Sequence, residues 1–280
     1  MKCAWKELLA ILPPWLKAET DKRSKDHILE LRLRVGQPVE VVTLSGSEWC
    51  SHEAGEKDLE HIINMASRYS PWTSTSLKDG YLTAAGGHRI GICGQCVIQN
   101  GIMTGIRRPT SMCIRIARDI SGIAPNYRDL HGSVLIIGPP GWGKTTLMRD
   151  LIRNISNAVC GAVSVVDERG ELFPPDCGFE RGKRTDVLTG CDKALGVIST
   201  LKTMGPSWIA VDEITAQKDC DALVEACWCG VRLLATAHAF DMRDLQSREV
   251  YRPLVEKRIF HTVLILQSDK SWRMERMNTC

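Results

Sequence analysis

Residues Gly138-Pro139-Pro140-Gly141-Trp142-Gly143-Lys144-Thr145 fit the pattern G-x-x-x-x-G-K-[ST] at every fixed position, and Thr146 follows them. Glycines at those places let a loop turn its backbone N–H groups inward. There they can hold phosphate together with the positive end of a following helix. Lys144 is placed to neutralise β- and γ-phosphates. The Thr145 hydroxyl suits Mg²⁺, a hard cation that prefers oxygen ligands.

A second set of groups lies further along the chain. The apolar run Trp208-Ile209-Ala210-Val211 ends in Asp212-Glu213. A carboxylate at that position can hold Mg²⁺ directly or through water, and Glu213 beside it can orient or deprotonate an attacking water. Thr236 and His238 end the next apolar run, with polar atoms suited to sensing a γ-phosphate. Water and Mg²⁺ chemistry favours hydrolysis of a nucleoside triphosphate over transfer to a small molecule as in a kinase.

These groups need a scaffold. Val134–Ile137 reads as a buried strand, and Leu147-Met148-Arg149-Asp150-Leu151-Ile152 has helical spacing, so the glycine loop lies between strand and helix. From Asp129 onward strands and helices alternate. Strands are expected at 162–166, 208–211, 231–235 and 259–266, with a short strand-like stretch after the last. Helices are expected at 191–204 and 216–229. That alternation predicts a mostly parallel α/β sheet, whose ligands bind beyond the carboxyl ends of the strands. The acidic, Thr and His residues all fall at such ends.

Residues 1–125 read differently. A mixed helical start is followed by Leu29, Leu31, Leu33 and Val35 alternating with Glu30, Arg32 and Arg34, the period-two pattern of a half-buried strand. A strand at 39–44, a helix at 56–69 and short strands at 86–98 and 113–116 follow. Asp79-Gly80, Gly86-Gly87 and Asn100-Gly101 punctuate them. This predicts a small α+β domain over 1–125 and an α/β domain over 126–280, with Ala124-Pro125-Asn126 as the linker.

Composition narrows the class. The chain has 280 residues, 44% apolar and 25% charged, with a formal net charge of +3, so global charge gives no argument for nucleic acid. No apolar run approaches the ~20 residues that cross a bilayer. Lys6, Glu7 and Pro13-Pro14 interrupt the N-terminal apolar stretch, which makes an amphipathic helix a better reading than a signal peptide. A cytoplasmic protein is expected, touching a membrane only through a surface or a partner. Its 12 cysteines then read as reduced and mostly buried. Cys93-Gly94-Gln95-Cys96 has no second such pair, and only Cys113 and His88 lie near it in sequence.

The motifs GPPGWGKTT, VVDERGE, WIAVDE and ATAHA, in this order, together with the early stretch LELRLRVGQPVEV, resemble the stage III sporulation protein AA family. Its members are similar to the hexameric ATPases of type II and type IV secretion and of pilus assembly. The resemblance covers most of the chain. It implies a RecA-like P-loop core, ATP and Mg²⁺, a homo-oligomer of hexameric form, and membrane-embedded sporulation channel proteins as partners on the mother-cell side. Asp167-Glu168-Arg169-Gly170-Glu171 takes the place of the motors' acidic box. The resemblance gives Glu171 the water-polarising role, with Glu168 as fallback and Glu213 as the competing base. Arg169-Gly170 departs from the motors' pattern. Residues 235–239 match the histidine box, with His238 in the named position. An arginine supplied from a neighbouring domain or subunit is also implied, and Arg107, Arg108, Arg115, Arg118, Arg181 and Arg184 are candidates. A nucleotide-gated scaffold and a nucleic-acid motor stand as alternatives. No stacking set of aromatics accompanies the basic stretches, which speaks against the second.

Overall fold

The computed structural model describes residues 2–67, 80–158, 161–174 and 177–277. Among these the chain divides into two units, one of Met1–Arg118 with Pro174–Gly178 and one of Asp119–Phe173 with Phe179–Cys280. Ala124-Pro125-Asn126, the expected linker, falls inside the second unit. Asp150 Oδ2 accepts the N–H groups of Ile123 and Ala124 at 2.8 and 2.9 Å and holds that stretch there. Arg153 in turn bonds Asp150 at 2.8 Å and Asp119 at 2.5 Å, so the buried carboxylates are paired.

The first unit begins with helices α1 (Trp5–Ile11) and α2 (Pro14–Asp21). Strands β1 (Ile28–Arg34), β2 (Pro38–Thr43) and β3 (Gly46–Glu53) follow, then α3 (Glu56–Ser67), β4 (Tyr81–Thr83), β5 (Arg89–Gln99) and β6 (Ile102–Arg115). The six strands form an antiparallel sheet in the order β3-β2-β1-β6-β5-β4. Leu31 and Leu33 point into the core, but a register shift between Ile28 and Glu30 buries Ile28 and leaves Leu29 half-exposed. One extra residue in a strand reverses the face of all that precede it. The expected 113–116 strand is the end of the much longer β6. It pairs with β5 through a turn in which Asn100 and Gly101 both take positive φ, 51° and 77°. Tyr69 and Asp79 lie outside the described residues.

Cys93 and Cys96 are exposed on β5, and Cys113 lies on β6 with its Sγ 3.4 Å from Glu30. His88 is buried with both ring nitrogens engaged. Nδ1 accepts the Ala117 N–H at 3.2 Å, and Nε2 donates to the Ala4 carbonyl at 2.8 Å.

The second unit runs β7 (Val134–Ile137), α4 (Lys144–Ala158), β8 (Val163–Asp167), β9 (Thr185–Thr189), α5 (Lys193–Met204), β10 (Trp208–Val211), α6 (Gln217–Trp228), β11 (Arg232–Ala237), α7 (Met242–Ser247), α8 (Arg252–Glu256), β12 (Thr262–Leu266) and β13 (Trp272–Arg276). The sheet order is β9-β8-β10-β11-β7-β12-β13, parallel throughout except for the antiparallel β12–β13 pair. Strands β7, β8, β10 and β12 are buried along their length, as a sheet covered on both faces requires. The order places β11 between β7, which feeds the glycine loop, and β10, which ends in Asp212-Glu213.

Helix α5 starts at Lys193 because Asp192 caps it, accepting the N–H groups of Ala194 and Leu195 at 3.1 and 3.4 Å. It packs closely on β8. A Cβ at Gly196 would stand 2.5 Å from Val166 Cγ1 and 3.0 Å from Cys191 Sγ. Gly196→Val is therefore expected to destabilise the protein by about 1–3 kcal/mol. In urea the midpoint should fall while the slope stays unchanged; an unchanged midpoint would contradict this packing.

Candidate active site

Strand β7 delivers the loop Gly138–Gly143 from the core, and α4 begins at Lys144. Gly141 and Gly143 take φ values of 78° and 101°, a region that other residues enter at a cost, with nothing near the missing Cβ. The loop therefore needs glycine for its backbone course, and the first N–H groups of α4 lie ahead of the helix's own hydrogen bonding, which starts with Leu147 to the Gly143 carbonyl. Trp142 stands edge-on to Phe240, with ring centroids 6.4 Å apart.

Lys144 is buried and uses all three of its N–H groups. They go to the carbonyls of Gly138 at 2.7 Å and Pro139 at 3.0 Å and to His238 Nδ1 at 2.9 Å. Burial pushes its pKa down to about 8, and the carboxylates of Asp212 and Glu213 offset only part of that. A donor on Nδ1 sets the His238 tautomer, so Nε2 carries the hydrogen and gives it to Glu213 Oε1 at 2.9 Å. Lys144, His238 and Glu213 are thus joined in one chain.

Asp212 is gripped from helix α4 and from strand β11. Thr145 Oγ1 donates to its Oδ2 at 2.9 Å, and Thr236 Oγ1 donates to its Oδ1 at 2.6 Å. Thr236 also accepts the Glu213 N–H at 2.7 Å. That bond fixes Glu213 in a left-handed conformation, φ 55°, which is uncommon away from glycine. The Thr236 hydroxyl spends its one hydrogen on Asp212 and accepts from Glu213. Because β11 lies between β7 and β10, its last residues reach both the lysine and the two carboxylates.

The acidic stretch after β8 forms a tight turn around Asp167. Its carboxylate accepts the N–H groups of Glu171 at 2.9 Å, Leu172 at 3.0 Å and Phe173 at 2.9 Å. Burial nevertheless raises its pKa to about 6 against those bonds. Arg149, one turn beyond the start of α4, donates to the carbonyls of Glu171 at 2.9 Å and Leu172 at 2.5 Å. Glu171 is thus bound into the turn through its main chain on both sides. Glu168 pairs with Lys193. Arg169 Nη1 comes within 3.9 Å of Glu213 Oε2.

The structure therefore joins Lys144, Thr145, Asp212, Glu213, Thr236 and His238 through direct hydrogen bonds. Each of the six arginines singled out in the sequence has its surroundings within its own unit. Arg118 donates to the carbonyls of Lys25 and Asp26, each at 2.6 Å, and to that of Ile28. Arg115 lies 3.4 Å from Glu30, and Arg107 and Arg108 are exposed on β6. Arg181 sits over the Phe173 ring at 5.9 Å, and the Arg184 N–H goes to Ser156 Oγ at 2.8 Å. Among the described residues of the second unit, Arg169 reaches the Glu213 carboxylate. Sequence reading missed Arg169, Arg149 and Asp167 as site groups, and also Tyr251, whose hydroxyl touches the backbone of both His238 and Ile214. A strand ending in Asp was a usable signal for Asp167; no local pattern marks the other three.

Parallel sheet, glycine loop and carboxylate strand together make a P-loop α/β fold, the fold that secretion and pilus ATPases also have. Two solved structures share it across nearly the whole chain. The X-ray structure of the Legionella pneumophila ATPase DotB matches with a TM-score of 0.56 and 18% identity, over 95% of this chain and 80% of that one. The crystal structure of the pilus retraction motor PilT with bound ADP matches with a TM-score of 0.62 and 14% identity, over 93% and 82%. The model of the family described as sporulation stage III, protein AA matches residues 7–275, and the chain belongs to that family. Stage III sporulation protein AA of Bacillus subtilis (strain 168) is 36% identical over 280 residues, 94% of this chain and 91% of that protein.

Proposed function

We propose that this protein is an ATP-hydrolysing motor that powers assembly or operation of a membrane secretion or channel complex during sporulation. The observation that carries the reading is the placement of Thr145 and Asp212, 2.9 Å apart, beside the Lys144 ammonium at the start of α4. Two oxygen ligands fit Mg²⁺, which keeps several waters and binds protein through only one or two groups. Among the described residues there is no group of three or more His, Cys, Asp or Glu able to hold a metal. When bound, the ion supplies charge neutralisation on the phosphates.

The chain's own groups do the rest. Loop and helix N–H groups hold the phosphates, and Lys144 turns from His238 and the loop carbonyls to the γ-phosphate oxygens. Glu213 accepts a proton from the attacking water, or orients it, with His238 steadying the other side of its carboxylate. Thr236 keeps Asp212 and Glu213 in register. An arginine brought by a second copy, as the sequence resemblance implies, is worth ~10³–10⁵ in rate in related enzymes. The active form is then a homo-oligomer, a hexamer by analogy with the motors. No helix among the described residues is long and apolar enough to cross a membrane. Attachment on the mother-cell side through membrane-embedded partners is what the sequence resemblance implies, and the family's name supports the sporulation setting.

The test is Mg·ATP turnover per subunit against protein concentration. Turnover should rise with concentration as subunits complete one another's sites. Bound ATP with no turnover at any concentration would instead make the protein a nucleotide-gated scaffold. Stimulation by a polynucleotide, lost at moderate salt, would point to a nucleic-acid motor.

A further inference from the structure

We propose that Tyr251 is a positioning residue of this site: its hydroxyl ties the turn carrying Glu213 to the turn carrying His238, and so holds the His238 ring between Lys144 and Glu213. The effect on turnover rests on the ATPase reading above; the positioning itself does not.

The Tyr251 ring is 5% exposed and packs in the core beneath the two turns. Its hydroxyl accepts the His238 N–H at 3.2 Å and donates to the Ile214 carbonyl at 3.2 Å. Those backbone groups belong to His238 itself and to the residue after Glu213. A hydroxyl can accept and donate at one atom, which makes tyrosine suited to this place and phenylalanine not. Burial pushes the Tyr251 pKa up, so the proton needed for the Ile214 bond stays in place at neutral pH.

The clamp is needed because the pairing of β10 with β11 stops short of these residues. The last residues that β10 and β11 pair with each other are Val211 and Ala235, while β11 stays paired with β7 as far as Ala237. Beyond them the Glu213 turn is held to β11 through Thr236, by the Ile214 N–H to the Thr236 carbonyl at 2.9 Å and by the Glu213 N–H to Thr236 Oγ1 at 2.7 Å. Tyr251 brings the His238 backbone into the same frame. Both bonds of the His238 ring, to Lys144 and to Glu213, are 2.9 Å long, and a small slip of either turn would break one. Once a phosphate draws Lys144 away, the Tyr251 clamp keeps the ring aimed at Glu213.

The experiment compares wild type, Tyr251→Phe, His238→Ala and the double variant, with Ile259→Val as a core substitution of modest cost in the same hydrophobic cluster. Tyr251→Phe should leave the ATP dissociation constant within about threefold and lower turnover by about ten- to a hundredfold, the scale of a small misplacement in an active site. In the His238→Ala background it should cause no further loss, and Ile259→Val should leave turnover unchanged. Nitrogen NMR of His238 in the nucleotide-free proteins gives a reading that needs no turnover. Wild type should show one tautomer, with hydrogen on Nε2, and Tyr251→Phe a mixture. Mixed tautomers in wild type would overturn the proposal, as would an unchanged His238 spectrum in Tyr251→Phe. A Tyr251→Phe loss repeated in full without His238 would mark a merely structural role. A wild type with a single tautomer but no turnover would count against the ATPase reading and leave the positioning standing.

Discussion

Glu213→Gln is expected to lower Mg·ATP turnover by at least about a hundredfold, the low end of what a positioned base contributes, while ATP still binds. The substitution is nearly isosteric. The glutamine carbonyl can accept the His238 Nε2–H as Glu213 Oε1 does now at 2.9 Å, and the main-chain N–H bond to Thr236 is untouched. Lost are the charge and the basicity. Glutamine inherits the same left-handed backbone, so any cost of that conformation is common to both proteins. Glu171→Gln is the comparison that decides between the two glutamates. Glu171 is held in the acidic turn through its own N–H and carbonyl, which glutamine keeps, so its variant should lose less than about tenfold. The reverse pattern, with Glu171→Gln inactive and Glu213→Gln active, would move the base to the acidic turn.

ATP affinity is expected to decline as pH rises past about 8, and Lys144→Met to weaken binding strongly and abolish that decline. In the nucleotide-free protein burial holds the Lys144 pKa at about 8. Phosphate favours the charged form, so the bound pKa lies higher. Binding above pH 8 must then take up a proton, and affinity falls by up to tenfold per pH unit until the bound pKa is reached. Each charge-assisted hydrogen bond lost in Lys144→Met costs about 1.5–3 kcal/mol of binding. The same depression has a sign in folding. Between pH 8 and the ordinary lysine value of 10.5 the unfolded chain binds more protons at this site than the folded one. Stability of the empty protein therefore gains from Lys144 across that window as pH rises, and the penalty on the charged lysine is full below it. Calorimetric titration in buffers of different ionisation enthalpy reads the proton uptake directly. A flat affinity from pH 7 to 9.5 would show that Lys144 is fully charged before nucleotide arrives.

The chemistry-bearing residues were legible in the sequence wherever structure is local. Strand, glycine loop and helix from Val134 to Ala158 are contiguous, so pattern and spacing specify them together. Asp212-Glu213 and His238 could be placed because an apolar run announces its own end. The edge strands β3 and β9 escaped notice, since edge strands bury too little to show a period. The inward turn of Ile28 escaped for a related reason, since a bulge shifts register without leaving a mark in composition. Only the tertiary structure put β11 between β7 and β10 and so joined Lys144 to Glu213 through His238. It alone gave Arg149, Asp167 and Tyr251 their tasks. Sequence periodicity reports which face of an element is buried; strand order and the partners of a lone side chain depend on pairing between segments far apart in the chain, which no local pattern encodes.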